Sequence, residues 1–190
     1  MAHRSHDSMS LLDRAVIGAL IVMAVLLVGI QTAHASTNWL IPSVGMTRAI
    51  HGDNEVTPFG QLAIRTHWAP LLSTEVGVGY RQDHFNDNTI TQRSWPVTAT
   101  LWITPVQQIY VGGGVGLYNN SLSFRDDLGI RNRTTERFGT HVGGGVMVPL
   151  GSSLGLDLNA KYVFMEREHV DFVSFDPSNW TTSAGLAFRF

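Results

Sequence analysis

From about position 60 onward, apolar and polar residues alternate with period two, the pattern of strands that bury one face. Gly60, Leu62, Ile64, Thr66 and Trp68 form one row, and Gln61, Ala63, Arg65 and His67 the other. The pattern recurs after the break APLLS, where Thr74, Val76, Val78 and Tyr80 oppose Glu75, Gly77, Gly79 and Arg81. It returns in Trp95, Val97, Ala99, Leu101 and Ile103 against Ser94, Pro96, Thr98 and Thr100, and in Ile109 to Leu117 against Tyr110 to Tyr118. Phe138 to Val148, Leu154 to Phe164 and Trp180 to Phe190 complete the series, and a less regular stretch near Asn38 to Arg48 makes eight predicted strands.

The breaks between these strands alternate in length. APLLS, TPVQQ and PLGSS are short, whereas QDHFNDNT, the segment 119–137 and the segment 166–179 are longer and polar. A barrel crossing an outer membrane has this asymmetry, with short turns on the periplasmic rim and long loops outside. The apolar rows carry aromatics near their ends: Trp68, Tyr80, Trp95, Phe138, Tyr162, Phe164, Trp180, Phe188 and Phe190. Aromatic girdles at the two membrane interfaces have that placement. The opposite rows hold Gly, Thr, Asn and charges, with GGGVG and GGGV where a sandwich core needs bulk. Small inward residues suit a narrow barrel. The predicted fold is therefore all-β, an eight-stranded antiparallel transmembrane β-barrel. In a closed barrel the last strand must pair with the first, since lipid cannot satisfy an open edge; this explains why the alternation runs to the final residue.

Composition narrows the reading further. The 190 residues contain no cysteine, which removes disulfides and thiolate chemistry. The formal net charge of −2 gives no electrostatic footprint for nucleic acid. Charged residues make up 15% of the chain, and glycine is frequent at 19 residues, which excludes a disordered chain and a coiled coil. The amino-terminal stretch stands apart. Arg4 and Arg14 flank a polar start, Ala15 to Ile30 is continuously apolar, and Ala33 and Ala35 form an A-x-A site. These are the three parts of a secretory signal peptide, with cleavage predicted after Ala35. The apolar run is short for a spanning helix, which needs about 20 residues. Residues 1–35 are thus expected to be a leader and 36–190 the barrel, and losing Arg4, Arg14, Asp7 and Asp13 leaves the charge balance unchanged.

The candidate site is the charge-bearing inner row. Arg65, His67, Glu75, Arg81, His141, Asp157, Lys161 and Arg189 are predicted to face the lumen. A buried charge must be paired, so these residues form either a plug of mutually satisfied charges or the lining of a gated, selective channel. A turn centred near Leu71 would set His67 opposite Glu75; the expected pairs are Glu75 with Arg65 or His67, and Asp157 with Arg189 or Lys161. Catalysis is not expected. A serine nucleophile needs an activating histidine and an orienting acid, and His141 has no serine nearby on its row, while His169 and Ser174 lie in a polar loop. The glycine runs sit within strands with no helix following, so they are not nucleotide sites. Asp83 to Asn88 lacks a full cation-ligand spacing and reads as a solvated turn. No cofactor and no metal site are expected.

From about Phe59 to the end the pattern resembles the small eight-stranded outer-membrane barrels of the OmpA, OmpX, opacity-protein and OmpW group. The stretches that carry the resemblance are IYVGGGVGLY, FGTHVGGGVMVPLGSSLGLDLNAKYVF and DPSNWTTSAGLAFRF, the last being most similar to the OmpW ending. The resemblance implies residence in the bacterial outer membrane among its lipid and lipopolysaccharide. It implies that Phe188 and Phe190 serve as the carboxy-terminal signal for the outer-membrane assembly machinery. The group spans narrow pores, structural anchors and surface proteins that contact a host or surface ligand through their loops; some small barrels of the outer membrane modify lipid A. OmpW-like barrels have an apolar lumen associated with small apolar solutes, and the charged inner row here departs from that. A structural or narrow-pore role is the expectation, with adhesion or interaction through loops 119–137 and 166–179 as the alternative and a lipid A-modifying barrel enzyme ranked below both.

Overall fold

A computed structural model describes residues 37–50, 56–85, 90–124, 133–165, 168–170, 173–175 and 178–190. The predicted leader lies outside the described residues. Among the described residues, ten strands occur in chain order: β1 (Thr37–Ala49), β2 (Val56–Ala69), β3 (Leu72–Phe85), β4 (Ile90–Val106), β5 (Ile109–Phe124), β6 (Arg133–Pro149), β7 (Leu154–Met165), β8 (Glu168–Val170), β9 (Val173–Phe175) and β10 (Asn179–Arg189). Eight of them close a barrel in the order β1-β10-β7-β6-β5-β4-β3-β2, and β8 with β9 forms a separate two-stranded hairpin. Every pairing is antiparallel, including the closing seam, where Leu40 faces Phe188 and Arg48 faces Trp180.

Three expectations about loops and turns are corrected. The segment 119–137 is not all loop: β5 continues through Asn119–Phe124 and β6 begins at Arg133. Similarly, 166–179 contains the β8–β9 hairpin, and the backbone register sets His169 opposite Ser174. Asp83, His84 and Phe85 end β3 rather than opening a turn, and the rest of that segment, 86–88, lies outside the described residues. The physical reason is common to all three. Strand pairing needs backbone hydrogen bonds, not apolar side chains, so polar sequence continues a ladder once the chain has left lipid. About 9–11 residues suffice to cross a bilayer as a strand. With 17, 16 and 17 residues, β4, β5 and β6 exceed that and rise above the other wall, where β7 has 12 and β10 has 11.

The two faces sort by parity, as the alternation requires. Leu62, Val78, Leu101, Val115, Val142, Leu158 and Leu186 point outward and are exposed. Aromatics cluster on this outer wall towards the long-loop rim. Tyr80 lies 4.5 Å from Trp95, and Tyr162 lies 4.3 Å from Phe164 and 4.7 Å from Trp180, centroid to centroid. Ile41, Ala63 and Ala187 form an apolar floor inside the short-turn half, with Trp39 and Met147 against it. Tyr118, Val163 and Met165 form a second cluster in the half nearer the long loops.

Between these clusters the lumen is crowded, and the glycines of β5 and β6 make the space. Tyr110 is paired to Gly145, and a Cβ there would collide with the Tyr110 hydroxyl. Trp102 is paired to Gly112, and a Cβ there would lie 2.9 Å from its ring. The Tyr118 ring occupies the place where Cβ atoms on Gly116 and Gly139 would sit. Overpacking of this kind costs about 1–3 kcal/mol.

Candidate functional site: a charged bar across the lumen

Arg65 and Glu75 are direct cross-strand partners on β2 and β3. The turn pairs Ala69 with Leu72, one position short of a turn centred on Leu71, and a register shift between His67 and Ala69 adds a second, so His67 faces Ser73 and not Glu75. Arg65 donates from Nε at 2.8 Å and from Nη2 at 2.6 Å to Glu75 Oε2. Its third contact crosses the barrel: Nη1 donates to Asp157 Oδ1 on β7 at 3.0 Å. From the same strand Lys161 Nζ reaches back to Glu75 Oε1 at 3.1 Å. Two bases and two acids therefore form one neutral bar from β2 and β3 to β7, and Arg65 and Glu75 are each only 3% exposed.

Uncharged groups hold the bar in place. Tyr110 on β5 donates its hydroxyl to Asp157 Oδ1 at 2.9 Å and accepts from Asn159 Nδ2 at 3.0 Å, the latter bond passing over Gly145. The Arg65 guanidinium lies 4.2 Å from the Tyr110 ring centroid and 5.6 Å from that of Trp102. Lys161 Nζ stands 5.3 Å from the Trp102 ring. Cations over aromatic faces gain stabilisation that grows as water is removed. Trp102 is fully buried and meets Tyr110 edge-on at 4.9 Å. Farther along, His141 Nε2 lies 2.8 Å from Thr100 Oγ1, spanning Gly114, which is paired to both residues.

The remaining residues of the predicted set lie apart from the bar. His67 is half-buried towards the short-turn mouth, with its Nδ1 buried and without a hydrogen-bond partner among the described residues. Arg81 is in the other half of the lumen, where Nη1 reaches Thr47 Oγ1 at 3.4 Å among uncharged Thr181 and Asn179. Arg189 is exposed at the short-turn rim, paired in register to Trp39. The expected bond between Asp157 and Arg189 or Lys161 is therefore replaced by Arg65 and Tyr110, because Asp157 sits opposite Gly185, two pleats from Arg189. Phe188 and Phe190 point outward at that rim, 43% and 70% exposed.

Sequence reasoning missed Trp102. Its parity continues Ser94, Pro96, Thr98 and Thr100, and a tryptophan on a polar row is itself the signal that the row faces a packed interior. Tyr110 stood on the inner row without an assigned role; its partner Gly145 was the sign that its ring lies across the lumen.

No family model matches the sequence, and no curated protein matches it. Solved structures do match in shape. Neisserial surface protein A has 15% identity over 82% of this chain and 97% of its own, with a TM-score of 0.59. The outer membrane protein OprG of Pseudomonas aeruginosa has 10% identity over 82% of this chain and 95% of its own, with a TM-score of 0.58. The fold is that of the small eight-stranded outer-membrane barrels. The attachment invasion locus protein of Yersinia pestis, solved in complex with the heparin analogue sucrose octasulfate, shares it too, with 14% identity over 82% of this chain and 98% of its own and a TM-score of 0.54. Identities this low speak for the fold and leave function to the residues.

Proposed function

We propose that the chain is a closed, non-conducting barrel of the bacterial outer membrane, a structural anchor without catalytic activity. The observation that carries this reading is the bar of Arg65, Glu75, Asp157 and Lys161, backed by buried Trp102 and Tyr110. An ion entering such a lumen would have to break charge-assisted bonds in a site with little water, where each uncompensated charge costs several kcal/mol. The outer wall supports the membrane setting: large apolar residues are exposed around the barrel, and a contiguous apolar surface of that extent marks contact with lipid. A leader cleaved after Ala35 would deliver 36–190 to the assembly machinery. Phe188 and Phe190 would then be its terminal signal. Reconstituted liposomes are expected to take up small uncharged solutes no faster than empty ones. Uptake that rises with protein-to-lipid ratio would overturn the closed reading and restore the narrow pore.

A second reading rests on the tall wall. β4, β5 and β6 project beyond the bilayer on the long-loop side, carrying the polar ladder Asn119–Glu136 and Asn120–Thr135. Such a ribbon is a platform for contact with a host or surface ligand, and the Yersinia barrel solved with a sulfated sugar is a precedent for ligand binding on this fold. Shortening β5 and β6 by deleting residues 121–134 should abolish surface binding and leave the barrel folded.

A further inference from the structure

We propose that the short-turn mouth of the barrel is a binding site for a neutral pyranose ring, either a free sugar or the end of a glycan chain. It goes beyond the closed-barrel reading, since a ligand here enters from the periplasmic side and crosses nothing. The mouth contains a cavity of about 300 Å³, at the small end of the ~300–1,000 Å³ range of ligand pockets and of a size for one ring. Its floor is the Arg65–Tyr110 end of the bar, and its rim is the β4–β5 turn with Gln107 and Gln108.

The lining selects the class of ligand. Trp39 offers a flat apolar face, which suits the C–H face of a sugar, and Met147 adds an apolar side. Gln107 and Gln108 each present an amide donor and acceptor at the rim, and Thr104 presents a hydroxyl. His67 brings a buried Nδ1 that has no hydrogen-bond partner among the described residues. Anions are disfavoured although Arg65 lines the cavity and no Asp or Glu does. Arg65 is already bonded to Glu75 and Asp157, so a third carboxylate would meet two like charges just behind the floor. The cavity therefore offers hydrogen bonds and one aromatic face without net charge, which is what a neutral polyol requires.

The test is a titration of the whole chain in detergent micelles, followed by the Met147 methyl resonance. Glucose, N-acetylglucosamine and a soluble N-acetylglucosamine tetrasaccharide are the probes, with sodium acetate as the anion. Saturable shifts are expected with the sugars at millimolar concentration. Tighter binding of the tetrasaccharide than of the single sugar assigns the site to a glycan end, and equal binding assigns it to a free sugar. Trp39→Ala should weaken binding about tenfold, the loss of one aromatic contact. Because Trp39 also packs on the barrel floor, the Gln107→Ala/Gln108→Ala double variant, altered only in an exposed turn, serves as the second variant and should weaken binding as well. The proposal is overturned by the absence of a saturable shift with any sugar, by a response to acetate in place of sugar, or by unchanged affinity in the glutamine double variant.

Discussion

On β6, Phe138, Thr140, Val142, Gly144 and Val146 face outward, while Gly139, His141, Gly143, Gly145 and Met147 face the lumen. These rows alternate along one strand and obey different rules. The outer row is set by solvent: any apolar residue of moderate size serves, because lipid tails adjust to its shape. The inner row is set by partners. Gly145 is there because Tyr110 lies across it, and Gly114 because Thr100 and His141 meet over it. A change outside is therefore measured against lipid, whereas a change inside is measured against a particular side chain on another strand.

The largest effect should come from unpairing the bar. Arg65→Met leaves Glu75 and Asp157 with only Lys161 near them, and is expected to cost about 3–5 kcal/mol, the penalty for breaking a buried ion pair from one side. Urea unfolding in micelles or bilayers reads it. The matched change sharpens the point: Glu75→Gln with Lys161→Met keeps Arg65 on Asp157, and should cost less than Glu75→Gln alone. If the double change were the worse of the two, the residues would not act as pairs.

Outside, charge alone decides. Val142→Arg, on the lipid face near the middle of β6, should cost about 2–4 kcal/mol in the same assay. Next come the glycines. Gly114→Val puts a side chain against the Ala99 carbonyl and 2.8 Å from Thr100 Cα, and should cost about 1–3 kcal/mol with loss of the Thr100–His141 contact. Gly60→Ala, on the outer row with nothing within 4 Å of the new Cβ, should stay within about 0.5 kcal/mol. Equal effects at the two glycines would erase the distinction between the rows. The smallest thermodynamic effect belongs to Phe190→Ala, exposed at the rim. It should leave unfolding unchanged within about 0.5 kcal/mol, yet lower the yield of heat-modifiable, membrane-inserted protein relative to Phe138→Ala, which is also an outward aromatic.

The same contrast explains what could be read in advance. The outer row needs only parity, and parity is local in sequence, so the strands and their lipid faces were legible from Leu62, Val76, Val115, Leu158 and their neighbours. The inward parity of Arg65, Glu75, His141, Asp157 and Lys161 was legible for the same reason. Their pairing was not. Arg65 and Asp157 are 92 positions apart, and which base meets which acid depends on the stagger of strands around a closed barrel. The turn closes on Ala69↔Leu72, one position short of a turn centred on Leu71, and the register shift between His67 and Ala69 adds one more, so together they set Glu75 opposite Arg65 and not His67. The upper reaches of β5 and β6 were read as loop because apolar alternation stops at the edge of lipid, although the backbone ladder continues past it.

The central claim is that the bar seals the lumen, and single-channel recording in a planar lipid bilayer tests it most directly. The wild-type barrel should show no resolved conductance steps in molar salt, and the quadruple variant Arg65→Ala/Glu75→Ala/Asp157→Ala/Lys161→Ala, charge-balanced and with the bar removed, should show them if it inserts as a barrel. Stable steps from the wild-type protein, unchanged when the bar is removed, would contradict the account.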